Sequence, residues 1–326
     1  MRPIRCIAKS AILASAIFAL PAPSVQALTI VTTFVPEGDD FQFTVSNSSQ
    51  SATASGQPGS ARGGGNIQSV FNAAARYWER IFPGSGDTLE VDFGFSNEAS
   101  LGSATQFATR TFSEVQGETR QGTIRFDATG PLWFLDATPL ESSEFPTDRT
   151  INADLGGGEI NTGREFGAAS GSDAAGAFDL FSVALHEIGH LLGLANLENT
   201  DPFPGTLTIG SDIDTPFAVD GSIISLTEEG GGHIDQGATN IPETPANDAV
   251  VFDNALLITT IAAGERRLAS DADILTIAQL SGFDTAALDQ AGFISTIPLP
   301  GPATLLISAL AGLGLNAARR RGKVSA

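Results

Sequence analysis

The chain has 326 residues, 42% of them hydrophobic, and sets 37 acidic residues against 17 basic ones for a net charge of −20. So acidic a balance leaves little to neutralise phosphates and argues against nucleic acid as a partner, while it favours solubility and attracts divalent cations. The single cysteine, Cys6, lies at the extreme N-terminus. The chain beyond it has no disulfide and depends on its core, with metal ions as the other available support.

Arg2, Arg5 and Lys9 precede a short apolar run, Ala11–Leu20, and Val25-Gln26-Ala27 has the small-x-small form cut by signal peptidase. Residues 1–27 are therefore expected to be a signal peptide cut after Ala27, since the apolar run falls short of the ~20 residues of a stable span. Removing the seven Lys/Arg of this segment and of residues 296–326 leaves ten basic against 37 acidic residues, a net charge of −27. Residues 28–295, roughly 270 in number, have the length of one large domain or two subdomains.

Ala27–Val35 is β-branched and alternating, as a first strand is. Ser46–Gly65 runs through Ser, Gln, Ala and Gly with almost no large apolar side chain and reads as a loop. Asn66 is a helix cap for Ile67–Phe82, where Ile67, Val70, Phe71, Ala74, Trp78, Ile81 and Phe82 recur at helical spacing. Tyr77, the only tyrosine, belongs to the core or surface of that helix. Thr88–Phe95 and Gly122–Ala128 alternate as half-buried strands do, and Trp133–Ala137 follows the second of them. A Gly/Asp/Ser region, Thr147–Gly176, then separates these strands from the next helix.

That helix lies in Phe181–Asn196, FSVALHEIGHLLGLAN, with Asp179 placed near its N-terminus where a carboxylate suits the dipole. Phe181, Ala184, Leu185, Ile188 and Leu192 give it a buried side. It carries two of the chain's three histidines. Residues four apart lie on one helical face, so His186 and His190 can offer two imidazole nitrogens to one metal ion. Glu187 then lies beside the metal, where a carboxylate can take a proton from a metal-activated water. Gly193, three residues past His190, can turn the backbone away sharply. Zinc in such a site takes a third protein ligand and keeps a fourth position for water.

HExxH followed by Gly193 resembles the metzincin peptidases, whose motif places a third His or Asp three residues after the glycine. Asn196 stands at that position here, and its neutral amide oxygen is a weaker donor. The remaining histidine, His233, in the glycine-rich stretch Gly230–Gly237, is the better third ligand. A distant third histidine resembles the leishmanolysin-like branch. The resemblance continues through Asp253–Thr260, where that family turns beneath the metal, and through Ala262–Leu268 to a helix over Asp271–Leu280 ending at Gly282-Phe283. The family's methionine under the metal is missing, since the only Met is Met1, and Leu256 or Leu257 takes its place, with Leu257 the residue expected beneath the site. Leu and Met have similar volume, and such core exchanges usually cost under about 1.5 kcal/mol.

The C-terminus carries Ile297-Pro298-Leu299-Pro300, an apolar stretch over Pro302–Ala318, and then Arg319-Arg320-Arg321 and Lys323. The order resembles the PEP-CTERM class of sorting tails in its VPLPA-like variant. That implies a Gram-negative cell envelope, an exosortase-type partner, and membrane contact only through the tail before processing. The hydropathy alone also fits a plain C-terminal membrane anchor.

The expectation is an α+β, metzincin-like fold: a twisted mixed sheet with an active-site helix, an upper subdomain over 28–193, a smaller lower one over 194–295, and a sorting tail over 296–326. The activity it implies is exported zinc-dependent endopeptidase, hydrolysing protein or peptide substrates with His186, His190 and His233 on zinc and Glu187 as general base. Gly122–Ala128 is the strand expected to bind extended substrate. Two alternatives stand beside it: a non-catalytic surface or matrix protein that keeps the fold, and an acidic calcium-binding adhesin. Calcium has no EF-hand-like loop here, and Asp212, Asp214, Asp220, Glu228 and Glu229 read as solvated surface.

Overall fold

The structure is a computed structural model and describes residues 28–45, 48–82, 86–97, 102–106, 119–154, 159–194, 206–208, 223–225, 232–234 and 252–283. The expected signal peptide, the sorting tail, Asn196 and the acidic residues 212–229 all lie outside them.

Leu28 opens the described chain, and β1 (Thr29–Phe34) forms within the strand expected from its alternation. The segment read as a loop is one only in its second part, residues 54–65, since Ser48–Thr53 is a strand. β2 (Asp40–Val45) and β3 (Ser48–Thr53) pair as an antiparallel hairpin in register from Asp40↔Thr53 to Val45↔Ser48. β3 has no apolar stripe because backbone pairing to β2, and not burial of a face, holds it. The hairpin covers the sheet through Phe41, fully buried, whose ring lies where a side chain on Gly94 would be.

Helix α1 (Ile67–Ile81) starts as its sequence dictates, with Asn66 Oδ1 accepting from the Ser69 N–H. Its apolar residues are buried, with Phe71 stacked on Phe93 of β4 (Thr88–Ser96) at 4.0 Å between ring centroids. Each such large side chain contributes about 1.5–3 kcal/mol by leaving water. The helix crossover makes β1 and β4 parallel, from Thr29↔Thr88 to Phe34↔Phe93. β5 (Gly102–Gln106) and β6 (Thr119–Asp127) complete a sheet of order β1-β4-β6-β5, in which β6 runs parallel to β4 and β5 runs antiparallel to β6. Tyr77 is core, packed edge-on to Phe181.

β7 (Trp133–Phe134) is short. The Gly/Asp/Ser region after it holds more structure than its composition suggests: β8 (Thr147–Asp148), β9 (Ile151–Asp154) and β10 (Glu159–Gly167), the last pairing with both others. β11 (Phe178–Asp179) pairs with β7 and leads into α2 (Leu180–Leu192), the histidine helix. α2 packs on α1, where Trp78 Nε1 donates to Leu185 O at 3.0 Å. It also lies close over the sheet, Leu191 filling the space a side chain on Gly122 would need.

β12 (Thr206–Thr208) and β13 (Ile223–Ser225) form a small hairpin, and β14 (Glu265–Leu268) pairs antiparallel with β10. Chain beyond Gly193 is thus knitted to chain before it. α3 (Asp271–Ser281) has a capping box of Ser270 and Asp273 and ends at Gly282, left-handed at φ 65°. No described helix is long and apolar enough to cross a membrane.

Candidate metal centre

α2 is buried along its whole length, His186, Glu187 and His190 included. Its N-terminus is set by Asp179, whose Oδ2 accepts from the Ser182 N–H and hydroxyl. Asp179 in turn receives both Nε and Nη2 of Arg266 at 2.9 Å, and the same guanidinium reaches Asp136 Oδ2 at 2.7 Å. Arg266 is fully buried between the rings of Phe145 and Phe181. Paired charges of this kind are tolerated inside a protein only when hydrogen bonds satisfy them, as here. At the other end Gly193 caps the helix with φ 156°, its N–H donating to Gly189 O and His190 O. Leu192 O accepts from Arg120 Nη1 at 3.0 Å and from the Ser281 hydroxyl.

The three histidines come together. His186, His190 and His233 each offer a ring nitrogen, and these atoms all lie within 4.8 Å of one another. No other group of three or more His, Cys, Asp or Glu able to hold a metal occurs among the described residues. His186 Nδ1 lies 2.8 Å from Leu256 O, and His190 Nδ1 meets Leu194 O. A carbonyl only accepts, so each Nδ1 carries the proton, and in the neutral ring each Nε2 presents a lone pair. Those two Nε2 atoms face each other at 2.9 Å. Two lone pairs at that distance repel unless a cation lies between them, and carbonyl-bound Nδ1 atoms are the usual support of metal-ligating imidazoles. The donor set therefore fits a metal ion, and three nitrogens suit zinc.

The electrostatics agree. Burial holds the His186 ring well below the usual histidine range, with the nearness of His190 and His233 adding to it. Burial likewise lowers His190, against its bond to Leu194 O. His233 is pushed down to about 4, by burial first and His190 second. All three are neutral near pH 7, the state a metal ligand needs.

Glu187 lies against the sheet's edge. A Cβ built on Gly102, the first residue of β5, would sit 2.5 Å from Glu187 Oε1 and 3.0 Å from Cδ. Leu257 is fully buried and packs on α2 at Gly189, where an added Cβ would meet its Cδ2 at 2.6 Å. Gly189 lies between the two helical histidines in sequence, so Leu257 packs on the helix turn that carries them.

Residues 67–202 match the family model of the matrixins, Peptidase_M10. The matrixin match spans α1 through α2 and so includes His186, Glu187 and His190, while His233 lies beyond it. No curated protein and no solved structure matches the chain. The fold is α+β and metzincin-like, and the match to a matrixin model together with the three-histidine cluster supports a zinc metallopeptidase at the level of the family.

One expectation is corrected here. All of Gly122–Ala128 but its last residue falls in β6, which is paired on both sides, to β4 and to β5, and has no free edge for a substrate strand. β5 pairs only with β6 among the described residues, and it is β5 that lies over Glu187. The stretch Gly102–Gln106 has no apolar alternation to announce a strand. Arg266 and Asp273 also escaped the sequence reading, although the Ser270-x-x-Asp273 spacing is a capping signal.

Proposed function

We propose that this protein is an exported zinc-dependent endopeptidase with the distant-histidine ligand set of the leishmanolysin-like branch: His186, His190 and His233. The observation that carries the reading is the convergence of three imidazoles, those of His186 and His190 buried and that of His233 half-buried, with ring nitrogens within 4.8 Å of one another at the helix that carries Glu187. Zinc bound there would supply Lewis acidity, activating a water and polarising a peptide carbonyl. Glu187 would accept the proton of the attacking water and deliver it to the leaving amine. The neighbouring wall of β5, which ends the sheet among the described residues, would hold substrate in extended form by pairing a strand alongside it, the backbone bonds giving affinity without demanding one sequence.

Export through residues 1–27 and sorting through residues 296–326 by an exosortase-type enzyme belong to the same proposal, as does division of residues 28–295 at Gly193. A cell envelope or extracellular protein without disulfides gains rigidity from a metal held by both segments. The non-catalytic alternative leaves Glu187 without a task, since a structural site has no use for a base. The calcium-binding adhesin accounts for none of the three clustered histidines, because calcium prefers oxygen ligands.

Purified protein should contain about one zinc ion per chain and cleave a casein-type substrate. The Glu187→Ala variant should keep the zinc and lose about 10²–10⁴-fold in kcat, the usual contribution of a general base. Undiminished cleavage by that variant would overturn the mechanism, and a chain without zinc would overturn the reading.

A further inference from the structure

Helix α2 sets the spacing of His186 and His190 but not the rotation of the His186 ring, and it does nothing for His233. Both tasks converge on one turn. His186 Nδ1 is held by Leu256 O, and the Ile234 N–H, next to His233, donates to Leu257 O at 2.7 Å. Two successive carbonyls thus orient one ligand from α2 and seat the segment that carries another.

The amides of the same two residues point the other way, into a single carboxylate. Leu256 N donates to Asp273 Oδ2 at 3.0 Å and Leu257 N to Asp273 Oδ1 at 2.8 Å. Asp273 is fully buried in the first turn of α3, and its Oδ2 also accepts from the Ser270 N–H at 2.8 Å and the Ser270 hydroxyl at 2.6 Å. Both oxygens are therefore engaged by donors, and one carboxylate ties the turn to the start of α3.

We propose that Asp273 is a positioning residue of the metal centre, fixing through the Leu256–Leu257 turn both the His186 ring and the seat of His233. The inference rests on the zinc reading above for its metal, but its geometry does not require the metal to be bound. Only a carboxylate serves. An asparagine amide offers one acceptor and one NH2, and in either orientation that NH2 meets a backbone N–H. Removing partners that hold a metal ligand in place typically costs 10–100-fold in metal affinity.

Asp271 supplies the control. It lies on the same turn of α3 and is also buried, but it accepts from Asn161 N at 2.9 Å and does not bond the Leu256–Leu257 turn. The test compares Asp273→Asn and Asp271→Asn in the full chain, with two readouts. In metal-free protein labelled with ¹⁵N-histidine, ring correlations give the tautomer of each histidine, with only three to assign. Competition with a chromophoric chelator gives the zinc dissociation constant. In the wild type and in D271N, His186 should hold its proton on Nδ1 and zinc affinity should be equal. In D273N, that tautomer should be lost and zinc should bind 10–100-fold more weakly.

D273N keeping the tautomer and binding zinc within threefold of wild type would overturn the proposal, and so would equal losses in D271N. If D273N does not fold, Asp273→Glu carries the same readouts. Its extra methylene should displace the turn and weaken zinc several-fold, and no change in either readout overturns the proposal. A wild type that binds no zinc defeats the zinc reading instead, while the tautomer comparison still decides the role of Asp273.

Discussion

Gly102 shows how one missing side chain shapes this site. The edge strand approaches Glu187 so closely that a methyl group at Gly102 would lie 2.5 Å from Oε1 and 2.9 Å from Cγ, well inside contact distance. Gly102→Ala must therefore push either β5 outward or the carboxylate aside. The expected result is a kcat lowered by about 10²-fold, the effect of ~1 Å misplacement near a reacting centre, with zinc content unchanged. Steady-state kinetics beside metal analysis checks it. Equal activity would show that β5 yields at no cost. The helical histidines, by contrast, were legible from their i, i+4 spacing, and His233 from the scarcity of histidine. Asp273 was not, because its importance lies in the amides it receives from a turn distant in sequence.

At the scale of elements, α2 is held at both ends by residues from elsewhere in the chain. Arg266, from β14, closes the N-terminal end by binding Asp179 and Asp136 with no exposure to water. Arg266→Met keeps much of the volume but strands two buried carboxylates. Removing one partner of a buried ionic network costs about 3–5 kcal/mol, so the denaturant midpoint should fall sharply with the slope unchanged. A shift under about 1 kcal/mol would mean that Asp136 and Asp179 recover their solvation. The helices were readable because their apolar spacing, caps and glycine stops act locally. β3, β5 and β10 were not, since a polar strand is made by the partner it pairs with.

Across the whole molecule, the metal centre couples stability to pH. The three histidines have folded-state values lowered from the usual 6.5, to about 4 for His233. A lowered histidine favours the neutral form in the fold, so its contribution is complete above pH ~6.5 and is lost as pH falls toward 4. Metal-free protein should therefore melt at progressively lower temperature over that window, and His233→Asn should flatten the dependence. A melting temperature that does not respond to pH between 6.5 and 4 would contradict the burial of the rings. The sequence by itself determined the acidic charge balance, the two long helices with their caps, the pattern that singles out the three histidines and the α+β class, because each rests on local spacing or composition. The tertiary structure decided that β5 and not β6 ends the sheet among the described residues, that Leu257 packs against Gly189, and that Asp273 and Arg266 bond the turn and the helix start around the histidines. Those outcomes depend on which distant segments share a hydrogen bond or a small space, and no periodicity within a segment records that.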